Sequence, residues 1–279
     1  MPSCLIWLCF AYPHMPEFSI ESPEDRRLDP YRDVKRARDH SEETFIAEGE
    51  KLVLRLLESG CRTRSILCTP AARDRLPTGL PAEIPVYVAS TPIISQLIGF
   101  KFHRGILACG ERPEPANLAA LLEAQVSPKP LLLVLCPEIR DPTNLGTIIR
   151  TAEGFGAAFL IAGRAGTEPF SRRVLRTSMG SVLRLPIVQT DDWIATLETL
   201  HDHNVETIAT VLDPSAERLA EAQRPARVAL LLGNEDAGLP AALAAMARRR
   251  VTLPMAVAVD SLNVSVAAGI VLHHFAGVK

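Results

Sequence analysis

The alternation in the C-terminal half constrains this chain more than any other feature. Six apolar runs occur there, at Leu131–Cys136, Ala157–Ala162, Val182–Val188, Thr207–Leu212, Val228–Leu232 and Arg250–Leu253. Helical patterns lie between and after them, at Gly146–Gly154, Asp191–His201, Ala241–Ala247 and Ser261–Phe275. Uniformly apolar strands separated by helices predict an α/β fold, a mainly parallel sheet covered on both faces. Ligands of such sheets bind in loops at the carboxyl ends of the strands, so those loops are where function is sought.

The chain has 279 residues, enough for two modest domains. Residues 20–112 read as a small α/β domain. Ser41-Glu42-Glu43-Thr44 opens a helical pattern with Ile46, Leu52, Val53, Leu56 and Leu57 on one face, ended by Gly60. Ser65–Cys68, Val86–Ala89 and Ile106–Cys109 read as short buried strands. Residues 113–130, rich in proline, read as a linker carrying a short helix at Asn117–Ala124, and residues 131–279 form the second domain.

Charge narrows the function classes. Thirty Lys and Arg oppose 32 Asp and Glu, a net charge of −2, so any nucleic-acid binding rests on local patches. Aromatic residues are only 5%, too few for a base-stacking platform. The cysteines Cys4, Cys9, Cys61, Cys68, Cys109 and Cys136 form no CxxC pair and read as reduced core thiols. His201, His203, His273 and His274 lack neighbours at zinc spacing, so no metal is expected. Leu5 to Tyr12 is apolar, but no basic residue precedes it and no A-x-A site follows, and it is too short to cross a bilayer. Residues 1–19 are therefore expected to lie outside the folded domain, with Met15 as an alternative start, and the protein to be cytoplasmic without a membrane partner.

Three loops carry the chemistry. After the first strand comes Pro137-Glu138-Ile139-Arg140-Asp141-Pro142-Thr143-Asn144, then a helix with Gly146 and Arg150. Asn144 is placed to cap that helix. After the fifth strand comes Gly233-Asn234-Glu235-Asp236-Ala237-Gly238-Leu239-Pro240, where two glycines permit a tight bend and Glu235 follows a buried strand directly. After the last strand, Asp260 or Ser261 starts a helix of small apolar residues into which Ser261, Asn263 and Ser265 bring polar groups that need partners. Read singly, the first is a capped helix with an exposed arginine and the second an acidic helix N-terminus. No P-loop, dinucleotide fingerprint or GxSxG elbow is present.

Taken together the three segments resemble one family. Asn144-Leu145-Gly146-Thr147-Ile148-Ile149-Arg150 looks like the first motif of SpoU-type (TrmH-like) RNA methyltransferases of the SPOUT class, N-x-G-x-x-x-R. Gly233 to Leu239 looks like their second motif, and Leu253-Pro254-Met255 with Ser261 to Ala267 like their third. The region from Ile20 to Glu111, with Phe45-Ile46-Ala47-Glu48-Gly49-Glu50-Lys51, is similar to the ribosomal-protein-like substrate-binding domain that precedes many of these enzymes. The resemblance implies a trefoil knot, a homodimer, and S-adenosylmethionine held by the backbone around Gly233, Leu253 and Leu262, with Thr210 joining them. It implies methyl transfer to a ribose 2′-hydroxyl of RNA, ribosomal RNA being favoured over transfer RNA by the additional N-terminal domain. One departure is Val257, where the family usually has glycine; a valine disfavours positive φ and narrows the loop. It gives the alternative reading its support: a catalytically weak or inactive RNA-binding member of the same fold.

On this resemblance Arg150 orients the target phosphate and polarises the hydroxyl, because a guanidinium does not give up its proton. Glu235, Ser261 and Asn263 orient substrate and loop, and Asn144 holds Arg150 or the ribose. RNA is expected to be gripped by Arg172, Arg173 and Arg176 in the second domain and by Arg62, Arg64 and Arg104 in the first.

Overall fold

The structure, a computed structural model, describes residues 16–32, 43–125, 130–255 and 261–277. The chain divides into two compact units with the main boundary between Glu111 and Arg112. Met15 and Val257 lie outside the described residues, as do Cys4, Cys9 and Asp260.

The first unit contains β1 (Glu17–Ile20), β2 (Thr44–Glu48), the first half of α1 (Glu50–Leu57), whose residues from Leu54 group with the second unit, β3 (Thr63–Cys68), α2 (Pro70–Arg73), β4 (Val86–Ala89), α3 (Thr91–Ile98) and β5 (Ile106–Glu111). Its mixed sheet runs β1-β4-β3-β5-β2. β4 pairs in parallel with β1 and β3, and β5 is antiparallel to β2 and β3. Two expectations are corrected here. Residues 17–19, expected outside the fold, belong to β1, and Ile20 enters a core with Leu28, Tyr31, Leu67, Leu97 and Leu107. The helix expected from residue 41 is instead a strand followed by a helix. Phe45 and Ala47 alternate inward as a strand requires, and Gly49 at φ +96° occupies a conformation through which no helix continues. Tyr31 is fully buried, and its hydroxyl shares a 2.8 Å hydrogen bond with Ser65 Oγ; burial pushes the phenol well above its ordinary range.

The second unit contains α4 (Leu118–Ala124), β6 (Leu131–Cys136), α5 (Pro142–Gly154), β7 (Phe159–Gly163), α6 (Arg172–Thr177), β8 (Ile187–Thr190), α7 (Trp193–Asp202) and β9 (Glu206–Thr210). It continues with β10 (Glu217–Arg218), β11 (Arg227–Leu231), α8 (Ala241–Met246), β12 (Arg249–Thr252) and α9 (Val264–Ala276). Every pairing among the described strands of this sheet is parallel, in the order β10-β12-β9-β11-β6-β7-β8. α4 is more than a linker insert, since Leu122 joins the core formed by Leu131, Leu133, Phe159, Ala229 and Leu231. The run Val182–Val188 is not one strand: Ser181–Leu183 is a 3₁₀ turn, and β8 starts only after Pro186. Proline lacks the N–H a central strand must donate, so the strand starts beyond it.

Two glycines let the elements around the site approach closely. A Cβ on Gly146 would stand 1.8 Å from Thr177 Oγ1 and 3.0 Å from the Ser178 nitrogen, so α5 and α6 meet at their backbones there. A Cβ on Gly163 would stand 1.9 Å from the Pro137 carbonyl oxygen, where the loop after β6 crosses the end of β7.

Candidate active site

From β6 the chain steps outward through β7 and β8, then returns to lay β11 and β9 on the other side of β6. The loops leaving β6 and β11 therefore lie side by side at this switch in strand order, the place where ligands of such sheets bind. On the β11 side lies a cavity of about 420 Å³, a volume that suits a small-molecule ligand. Its lining includes Thr210 from the end of β9, the loop Gly233–Leu239, Leu253 and Met255 after β12, and Ser261 and Leu262 before α9.

The sequence dictates the shape of the middle loop. A Cβ on Gly233 would lie 2.6 Å from the Gly238 carbonyl carbon and 2.7 Å from the Leu239 nitrogen, so only glycine fits. Gly238 has φ +68°, and its backbone pairs with Asn234 in both directions at 2.9 and 3.0 Å. Glu235 is carried on this closed turn. Thr210 donates from Oγ1 to the Leu231 carbonyl at 2.8 Å, tying β9 to β11 at the cavity floor.

Three distant segments meet through a directed chain of hydrogen bonds. The Ser265 N–H and O–H both donate to Asn263 Oδ1, at 2.9 and 2.6 Å. Asn263 Nδ2 donates to Asn144 Oδ1 at 3.0 Å, and Asn144 Nδ2 donates to Glu235 Oε1 at 2.6 Å. A carboxylate only accepts, which fixes the orientation of both amides. Among the described residues Glu235 Oε2 has no hydrogen-bond partner, so the chain of donors ends in a carboxylate with one oxygen open beside the cavity.

Corrections follow from this geometry. Asn144 does not cap α5: the cap is Asp141, which accepts from the Thr143 and Asn144 N–H groups, while Asn144 sits inside the first turn. Those hydrogen bonds, the one from Thr143 foremost, hold the Asp141 carboxyl below the usual carboxylate range. Nor does any hydrogen bond among the described residues join Asn144 to Arg150; the amide meets Glu235 and Asn263 instead. α5 advances about 100° per residue, so side chains six apart point about 120° away from each other. Asn144 is buried toward the site, whereas Arg150 is exposed and does not line the cavity. The last helix is capped by Asn263 rather than by Asp260 or Ser261.

The arginines separate into two groups. Arg62 and Arg64 both pair with Glu111, at 3.1 and 2.7 Å, and Arg104 lies 3.3 Å from the buried Glu48. The hydrogen bond from Arg64 holds the Glu111 carboxyl below its ordinary value. On α6, Arg173 instead donates to Thr143 Oγ1 at 3.2 Å, beside the start of α5, and Arg176 is exposed; Arg172 lies on the same helix. Cys136, at the end of β6, is held protonated by burial and secondarily by the nearby Glu235 charge. Among the described residues no cluster of three His, Cys, Asp or Glu suits a metal, and no helix is long and apolar enough to cross a membrane.

Sequence reasoning missed Asn234 and the apolar walls contributed by Leu212, Met255 and Val264. Asn234 was legible only as a residue between a strand and a glycine turn; its contacts are long-range.

Comparison with known proteins agrees with these features. The SpoU rRNA Methylase family matches residues 131–273. An uncharacterized tRNA/rRNA methyltransferase of Mycobacterium bovis is 33% identical over 261 residues, 90% of this chain and 88% of that protein. The 23S rRNA (guanosine(2553)-2′-O)-methyltransferase RlmP of Bacillus subtilis is 29% identical, covering 92% of this chain and 99% of its own. The crystal structure of an AdoMet-bound rRNA methyltransferase from Sinorhizobium meliloti superposes with a TM-score of 0.77 at 30% identity, covering 92% of this chain and 97% of that one.

Proposed function

This chain belongs to the SpoU rRNA Methylase family, and on that premise we propose that it methylates a ribose 2′-hydroxyl in ribosomal RNA as a cytoplasmic homodimer. Its cofactor is S-adenosylmethionine, which when bound supplies an electrophilic methyl group on a sulfonium. The cavity fits that group. It offers apolar side chains such as Leu212, Leu253 and Leu262 to a flat base, and backbone groups of the Gly233–Leu239 turn and the Glu235 carboxylate to polar and cationic parts. On this reading Gly233, Leu253, Leu262 and Thr210 hold the cofactor. The C-terminal segment is threaded as the trefoil knot of the family.

The single observation that carries the reading is the chain Ser265–Asn263–Asn144–Glu235, which draws all three motif segments to one point. Its residues have a positioning task. Each amide fixes the next, so the Glu235 carboxylate presents its open oxygen in one orientation, and Ser261 lines the same cavity. Such preorganisation can supply much of the barrier reduction in a two-substrate reaction. The first unit and the α6 arginines Arg172, Arg173 and Arg176 hold the RNA. Arg62, Arg64 and Arg104 contribute less than Arg173 and Arg176, because each is engaged with a carboxylate.

Arg150 is assigned to the target phosphate, as a permanent cation that donates hydrogen bonds and takes no proton. It lies outside the cavity of its own chain, so the reading requires a second copy to deliver it. Val266 and Ile270 on α9, with Leu262 just before it, are exposed apolar side chains, at 52, 42 and 39% exposure. α9 packs on α5 where Gly269 faces Thr151, the residue after Arg150. A two-fold contact over these side chains would bury them and carry Arg150 toward the neighbouring site.

The test is transfer of labelled methyl from S-adenosylmethionine to ribosomal RNA from cells lacking the protein, followed by mapping of alkali-resistant ribose positions. One new 2′-O-methyl site is expected. No transfer together with no cofactor binding by calorimetry would overturn the reading in favour of an inactive RNA-binding member.

A further inference from the structure

Asn234 is only 8% exposed and uses both ends of its amide. Its Oδ1 accepts from the Asp236 N–H at 2.8 Å and the Ala237 N–H at 3.2 Å. Its Nδ2 donates to the Glu138 carbonyl at 2.8 Å, in the loop between β6 and α5. The reverse orientation would set two N–H donors against an NH₂ group and one carbonyl against another, so the assignment is unique. The two ends do different things. The oxygen closes the turn that carries Glu235 and lines the cavity. The nitrogen ties that turn to the loop leading into α5.

That second tie is one of two. Asn144 Nδ2 on Glu235 Oε1 is the other, and the two rungs join the same pair of segments. A single hydrogen bond lets two loops pivot about it, whereas two fix both their separation and their rotation. The far side of the 138–141 loop is also held: the Thr167 N–H donates to the Ile139 carbonyl at 2.8 Å, and Thr167 Oγ1 donates to the Arg140 carbonyl. The loop is thus fixed, and without the Asn234 rung the turn that carries Glu235 can pivot against it about the bond from Asn144.

We propose that Asn234 is a positioning residue with two separable roles: its acceptor oxygen shapes the cofactor-binding turn, and its donor nitrogen sets the aim of Asn144 on Glu235. The inference rests on the methyl-transfer reading for its kinetic consequence and on the hydrogen-bond geometry alone for its structural one.

Asn234→Asp separates the roles. It keeps an oxygen for the Asp236 and Ala237 N–H groups but replaces the donor with an acceptor facing the Glu138 carbonyl. Asn234→Ala removes both functions. The experiment measures S-adenosylmethionine affinity by calorimetry and single-turnover methyl transfer to ribosomal RNA from cells lacking the protein. Hydrogen exchange of the unliganded protein is followed in parallel. For Asn234→Asp the expected result is affinity within about threefold of wild type and a transfer rate at least about thirtyfold lower, on the scale set by small misplacements in active sites. Its amides at Asp236 and Ala237 should stay protected while those at Thr143 and Asn144 exchange faster. Asn234→Ala should lose affinity as well as rate, and protection in both segments. An Asn234→Asp protein with wild-type transfer, with affinity and rate falling in equal proportion, or with unchanged exchange at Thr143 and Asn144 would overturn the proposal. If the wild type itself neither binds the cofactor nor transfers methyl, the methyl-transfer reading falls, and the exchange pattern still decides the role of Asn234.

Discussion

The two units share surface ion pairs but differ in what else their polar side chains do. In the first, charge is matched locally: Arg62 and Arg64 meet Glu111, Arg73 meets Glu17, Arg75 meets Glu50, and Arg104 meets Glu48. The second has such pairs too, as between Arg184 and Glu153 and between Arg249 and both Glu206 and Glu217, but adds neutral amides that link segments 91 and 119 residues apart and end on one carboxylate beside a cavity. Paired surface charges contribute little and leave no group in want of a partner. A directed chain of amides ending on an open carboxylate oxygen leaves an acceptor where a ligand can use it. The contrast shows that a reactive site is marked by convergence of polar groups from distant segments, not by the density of charge.

The sharpest break of this contrast is Asn144→Ala. It severs both bonds of the chain at once, and the transfer rate should fall about a hundredfold or more, as misplaced catalytic geometry does. Measured single-turnover rates within tenfold of wild type would put the chain outside the chemistry. RNA affinity separates the two groups of arginines. Replacing Arg173 and Arg176 by alanine should weaken RNA binding about tenfold and lower the slope of log affinity against log salt by about two. The same change at Arg62 and Arg64 should cost less than about threefold, since those side chains already have carboxylate partners; filter binding across a salt series reads both.

Packing around the site gives a smaller effect. Gly146→Val forces side-chain atoms against α6 and should destabilise by about 1–3 kcal/mol, the usual range for overpacking. Gly154, at the end of the same helix, meets nothing within 4 Å, so Gly154→Ala should be neutral or stabilise by up to about 1 kcal/mol. Urea denaturation of the two variants distinguishes a close helix contact from a general intolerance of α5. The smallest effect is a pH dependence. His201 shares a 2.8 Å hydrogen bond with Thr207 Oγ1, and burial, followed by the Arg248 charge, lowers its pKa below the ordinary imidazole value. The unfolded chain therefore takes up the proton first as pH falls. The stability this group contributes is present above about pH 6.5 and is lost below it. Thermal unfolding between pH 7.5 and 5.5 should show a fall that His201→Gln reduces.

Much of this architecture was legible in the sequence because it rests on local pattern. β6 lies where its apolar run places it, and the sheet is parallel as the strand and helix alternation requires. Errors arose where a tertiary contact overrode the local signal. Ile46 and the residues around it fit a helical face, but pairing of β2 with β5 draws that segment into a sheet. Asn144 looked like a helix cap because asparagine is a good one, yet Asp141 does that work and frees Asn144 for Glu235. The spacing of six between Asn144 and Arg150 already allows different faces, and the structure places Asn144 buried toward the site and Arg150 exposed. The reach of Asn234 to Glu138 spans 96 residues, a separation that no local pattern encodes.

The claim that most needs testing is that each site combines Glu235 of one copy with Arg150 of another. Glu235→Ala and Arg150→Ala proteins, each inactive alone, would be mixed after partial unfolding and refolding, and methyl transfer to ribosomal RNA measured. If the site is shared, half of the dimers are mixed and each of these holds one site with both residues intact, so activity should recover to about a quarter of wild type. A mixture as inactive as its parents, with mixed dimers verified by native mass spectrometry, would contradict the account.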